Sequence, residues 1–156
     1  MLQSLPLLEG WVHKWHYITN ETIPAGKYRI FCEYKNQKGW LWGITIGSLS
    51  SPMYELEIKS DDEILKATPY QTYAYGFYYP DTYIWTPKEA YEAGNYILSF
   101  HPDFYLPFKS NSSVTVIAPS DTDVVINGLV TVILITDEKK FLESYRRLHA
   151  PLPIPV

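Results

Sequence analysis

This sequence predicts an all-β chain, a mainly antiparallel β-sandwich of about eight strands with one C-terminal α-helix. Three observations carry that expectation. Apolar and polar side chains alternate with a period of two over residues 11–18, 27–35, 53–59 and 95–101, the spacing of a strand. Glycine, proline, asparagine and serine punctuate these stretches at short intervals. Only residues 137–148 close the chain with apolar side chains at helical spacings of three and four. The layering is expected to be jelly-roll-like or immunoglobulin-like. At 156 residues one domain suffices. It is assigned to residues 11–149, after an arm or edge strand over residues 1–10 and before a proline-rich extended tail over residues 150–156.

The first strand places Trp11, His13, Trp15 and Tyr17 on one face and Val12, Lys14, His16 and Ile18 on the other. Pro24 and Gly26 then supply a turn over residues 20–26. In residues 27–35, Tyr28, Ile30, Cys32 and Tyr34 share a face, and Cys32 reads as a small buried apolar side chain. The polar break at residues 36–39 predicts an antiparallel hairpin between residues 27–35 and 40–48. Trp40, Trp42, Ile44 and Ile46 would share its apolar face. Gly43 and Gly47 opposite them mark a bend or a close backbone approach. Trp11, Trp15, Trp40 and Trp42 are all expected to turn inward. Residues 53–59 alternate cleanly, with Tyr54, Leu56 and Ile58 inward. A turn at 60–63 leads to a short strand over residues 64–68, ended by Pro69.

Residues 70–79 are expected to form a strand with Tyr73, Tyr75, Phe77 and Tyr79 on one face, closed by Pro80 and Asp81. Pro87 suits the start of one helical turn over residues 87–93. Tyr96, Leu98 and Phe100 define the next strand, and residues 102–113 read as a loop. β-Branched runs at 114–118 and 124–126 follow. Asn127-Gly128 carries the residues of a two-residue hairpin leading into 129–135. The helix over 137–148 is capped by Thr136 or Asp137 and ends at Arg146 and Arg147, complementing its dipole. Its stripe of Phe141, Leu142, Tyr145 and Leu148 predicts docking on a sheet. In the tail, Pro151, Pro153 and Pro155 impose an extended backbone suited to lying on a neighbour.

Composition narrows the function classes. A net charge of −4 and a pI near 5.5 offer no basic footprint for nucleic acid. Cys32 is the sole cysteine, so neither an internal disulfide nor a cysteine zinc site is expected. The apolar run at residues 5–8 is too short for a signal peptide or a membrane span. His13 and His16 fall on opposite faces of a strand and cannot share one ion. The acids at 61–63 and at Asp121 and Asp123 sit in turns without the calcium-loop spacing, and no cofactor is expected. His101 and Asp103 could form half of a catalytic relay in a small hydrolase, but no nucleophile elbow accompanies them. Asn20 and Asn111 open glycosylation sequons, which bear on function only outside the cell.

Aromatic residues carry the positive signal. Nine of them stand between Tyr70 and Tyr91, and tyrosine combines a stiff apolar ring with a polar tip suited to interfaces. Two aromatic loops are expected to face outward: Tyr78, Tyr79, Tyr83 and Trp85 around Asp81, and Phe104, Tyr105 and Phe108 in the later loop. Such patches imply a covering partner. The leading expectation is a non-enzymatic structural or assembly protein, a capsid, turret or tail component of a virion or part of another extracellular surface assembly. Its partner would be protein, a homo-oligomer or assembly neighbour. The alternative is a carbohydrate-binding module or adhesin, with the Tyr78–Trp85 rings stacking on sugars and Asp81 and Asn111 taking hydroxyls.

Overall fold

The computed structural model describes residues 8–79, 82–100 and 106–149. In chain order it contains β1 (Trp11–Ile23), β2 (Tyr28–Lys35), β3 (Lys38–Ser48), β4 (Glu55–Ser60), β5 (Glu63–Ala67), α1 (Pro69–Ala74), β6 (Tyr78–Tyr79), β7 (Ile84–Trp85), α2 (Lys88–Glu92), β8 (Tyr96–Phe100), β9 (Leu106–Phe108), β10 (Asn111–Ile117), β11 (Val124–Ile135) and α3 (Glu138–His149). Every strand pairing is antiparallel. One sheet runs β1-β11-β3-β8-β7-β6, with β9 also on β3, and the other runs β2-β10-β4-β5. The expected β-sandwich with its C-terminal helix is therefore present.

The two layers meet through aliphatic side chains. β11 alternates without interruption, turning Val124, Ile126, Val130, Val132 and Leu134 inward. Leu41, Ile44 and Ile46 of β3 join them, facing Leu56 and Ile58 of β4 and Val114 and Val116 of β10. Tyr54 is fully buried and donates its hydroxyl proton to the carbonyl of Tyr96 at 2.7 Å. That bond satisfies a polar group that would otherwise cost on the order of 1–3 kcal/mol in a dry interior. Cys32 is buried as expected, and burial pushes its thiol up to about 12. At one side of the gap, His16 of β1 and Tyr34 of β2 hydrogen-bond at 2.5 Å, joining the layers.

Several expectations are corrected. Residues 27–35 and 40–48 do not form a hairpin, because β2 pairs with β10 while β3 pairs with β11, β8 and β9. Asn36, with φ of 55°, and Gln37 carry the chain from one layer to the other instead. The Gln37 N–H is satisfied by the carbonyl of Ser110. Residues 69–74 are helical rather than extended. Pro69 occupies the first helical position, which its fixed φ suits, and Thr68 and Gln71 form a reciprocal capping box. The loop expected at 102–113 contains β9 and the start of β10.

The hairpin expected at Asn127-Gly128 is a continuous strand, since β1 and β3 pair with β11 on both sides of it. The glycine serves close packing. A Cβ at Gly128 would lie 2.2 Å from the Thr45 carbonyl oxygen and 2.8 Å from Ile46 Cα. The Asn127 side chain accepts from the Asn20 N–H at 2.8 Å, where β1 bulges between Ile18 and Glu21. Replacing Gly128 with alanine should therefore cost about 2–3 kcal/mol by forcing β3 away from β11. Urea unfolding reads this as a lowered midpoint, and an unchanged midpoint would contradict the packing.

A candidate aromatic association face

Outward side chains on β1, β11 and β3 build an aromatic surface on the larger sheet. The register sets Trp11 beside Ile135, His13 beside Ile133 and Trp15 beside Thr131, all pointing away from the aliphatic layer. Trp40 stands on the far side of Ile133. Between Trp40 and Ile44 the strand bulges: Leu41 faces Val132 and Gly43 faces Thr131, leaving Trp42 as the extra residue. One added residue reverses the parity of a strand, so Ile44 and Ile46 are inside while Trp40 and Trp42 are outside. The inward placement expected for Trp11, Trp15, Trp40 and Trp42 is thus corrected. Trp15 is 51% exposed, Tyr17 76% and Trp42 39%. A similar bulge at Phe31 turns Tyr28 and Ile30 outward on the smaller sheet while Cys32 and Tyr34 stay inside.

His13 lies within the outer rings, 4.1 Å from the centroid of Trp15 and 4.8 Å from that of Trp42. Its Nε2 is buried without a hydrogen-bond partner among the described residues, and desolvation holds its pKa below the ordinary 6.5. The stack therefore favours the neutral ring. His16, inside the layers, is lowered for the same reason, with the Lys14 charge adding to it.

Helix α3 covers one end of this face. Asp137 accepts from the Lys140 N–H and caps the helix. Gly10, with φ of 73°, passes so close that a Cβ there would meet the Asp137 carbonyl oxygen at 2.3 Å. The Glu9 N–H donates to Ser144 Oγ, fixing the segment before β1 against the helix. Phe141 packs on Trp40 with centroids 5.3 Å apart and is buried. The rest of the expected docking stripe stays at the surface: Leu142, Tyr145 and Leu148 are exposed, while Phe141 is buried on Trp40 and Ser144 is buried against the segment before β1. Between helix and sheet lies a groove of about 370 Å³, walled by Leu8, Trp11, Trp40, Trp42, Ile133, Phe141 and Tyr145.

Of the residues singled out from the sequence, Tyr78, Tyr79, Tyr83 and Trp85 lie on the paired β6–β7 segment, away from this face. Tyr83 is exposed, with φ of 58°, and Trp85 is half-buried on β7. The backbone of Tyr78 and Tyr79 forms β6, paired with β7. Asp81, Phe104 and Tyr105 lie outside the described residues, as do His101 and Asp103. Phe108 is a correction: only 3% exposed, it faces inward on β9 opposite Gly39, whose missing side chain leaves space for its ring. Much of the tyrosine-rich segment packs on itself. Tyr73 of α1 stacks on Tyr91 of α2 at 4.1 Å, and Tyr91 meets Tyr96 edge-on at 5.1 Å. In the acidic turn, the Asp61 carboxylate accepts from the N–H groups of Lys109, Ser110 and Asn111, which hold it down to about 2. That is a structural tie between the β4–β5 turn and the strand entering β10.

No family model matches the chain, and no curated protein matches it in sequence.

The ring stack makes stability depend on pH in a definite direction. Because the folded pKa of His13 lies below its unfolded value, its contribution is complete above about pH 6.5 and declines as the pH falls and the unfolded chain takes up the proton first. His13→Phe should keep the stack without that proton. The urea midpoint of the variant should fall less than the parent's between about pH 7.5 and 5. Parallel declines would show that His13 is not desolvated by its neighbours.

Proposed function

We propose that this protein is a non-enzymatic assembly component, of a virion or another surface assembly, that associates through the outer aromatic face of its larger sheet. The observation that carries this reading is the run of Trp15, Tyr17 and Trp42 at the surface, continuous through His13 with the groove beside α3. Rings of this size exposed together form the kind of apolar patch that monomers rarely leave uncovered. Aromatic side chains also supply the buried anchors of protein interfaces. The exposed Leu142, Tyr145 and Leu148 of α3 extend the patch. In this account the association surface centres on the sheet face, and Tyr83 at the β6–β7 end is peripheral to it.

A second reading, carbohydrate binding, draws on the smaller sheet. Its outer face holds a hollow of about 450 Å³ where the exposed ring of Tyr28 stands near Glu57, Asn111, Ser113 and Thr115. One ring for stacking and several hydroxyl, amide and carboxylate groups suit a sugar.

The two readings separate in solution. Light scattering across a concentration series should give masses above the 18.1 kDa of one chain. Trp42→Ala should weaken the association by about 2 kcal/mol or more, as loss of a central interface anchor does. A chain that stays monomeric at all concentrations but is retained on a polysaccharide column, and is released by Tyr28→Ala, would replace the first reading with the second.

A further inference from the structure

We infer that the groove between α3 and the larger sheet receives the proline-rich segment 150–156 of a second copy of this chain. The inference deepens the association reading and rests on it, since it names the occupant of part of that face. The groove walls are apolar and mostly aromatic: Trp11, Trp40 and Trp42 from the sheet, Phe141 and Tyr145 from the helix, with Ile133 between and Leu8 from the segment before β1. Aromatic-lined grooves of this kind recognise extended proline-rich chains, whose rings stack on indole and phenol faces and whose preset backbone loses little entropy on binding. Segment 150–156 has that chemistry. It reads Ala-Pro-Leu-Pro-Ile-Pro-Val, with a proline at every second position, aliphatic residues between them and no charge. Among the described residues no charged side chain lines the groove either.

Sequence geometry assigns the segment to another molecule. It follows α3, which ends at His149, whereas the groove lies one to two turns back, at Phe141 and Tyr145. To enter its own groove the chain would have to reverse at once and run antiparallel to the helix. Ala150, Leu152 and Ile154 each precede a proline and are thereby confined to extended conformations. No glycine is present in 150–156 to relieve the restriction. Alternating prolines disfavour that immediate reversal, so we assign the segment to the groove of a neighbouring copy.

The test compares the full chain with one ending at His149, by sedimentation over a concentration range. It also titrates the synthetic peptide 150–156 into the shortened protein while following tryptophan fluorescence. The full chain should associate and the shortened one should remain at one-chain mass. The peptide should shift the emission to shorter wavelength, and Trp42→Ala, checked for folding by circular dichroism, should weaken its binding about tenfold or more. Failure of the peptide to bind would overturn the inference. So would a full chain that stays monomeric while the peptide binds, which would mean docking within one molecule. If a peptide of residues 1–7 binds in its place, the occupant is the other arm and the inference falls. Association that survives truncation but is abolished by Trp42→Ala would refute the tail as occupant and leave the association face standing. If neither change affects the mass, both readings fail.

Discussion

The space between the two sheets is filled mainly by aliphatic side chains with a few rings among them, and the placement of the indoles outside follows from that constraint. Inner faces of a sandwich interdigitate across about 10 Å at the density of an organic crystal. Val130, Val132, Ile44 and Ile46 from one sheet and Leu56, Ile58, Val114 and Val116 from the other fill this gap. Of the rings that enter, Tyr54 and Phe108 each meet a local accommodation. Tyr54 spends its hydroxyl on a backbone carbonyl, and Phe108 uses the space left by Gly39. The indoles of β1 and β3 have no such provision. They stand on the opposite face, above the outward row Leu129, Thr131, Ile133 and Ile135 of β11.

That arrangement explains what could be read in the sequence and what could not. Where a strand runs without irregularity, parity alone is sufficient: Tyr54, Leu56 and Ile58 are inside, as are Leu98 and Phe100. Parity fails at bulges. The extra residue at Trp42 separates Trp40 from Ile44, and the one at Phe31 separates Ile30 from Cys32. On β1 the alternation was legible but its sense was not. The aliphatic pair Val12 and Ile18 marked the inner face more reliably than the larger apolar area of the tryptophans. The helix α1 was hidden because Pro69 reads equally as the end of a strand and as the first residue of a helix. The capping pair Thr68 and Gln71 was the distinguishing signal.

Nonlocal pairing was the least legible. Asn36-Gln37 and Asn127-Gly128 both carry turn chemistry, yet one crosses between layers and the other lies within a strand. The difference is made by partners more than fifty residues away, Ser110 for Gln37 and Thr45 with Ile46 for Gly128. The rings of the sheet face were not singled out as a surface in the sequence, because Trp11, Trp15, Trp40 and Trp42 read as core. In the 70–91 segment Tyr73, Tyr91 and Tyr96 pack on one another while Tyr70, Tyr75 and Tyr83 stay exposed.

The account stands on the tryptophans of β1 and β3 lying outside the layers. Hydroxyl-radical footprinting, read residue by residue at a dilution where the mass is that of one chain, measures this directly. Trp15 and Tyr17 should oxidise quickly, with Tyr54 and Phe100 protected. Protection of Trp15 equal to that of Tyr54 would place the indoles in the core and remove the surface on which the functional reading rests.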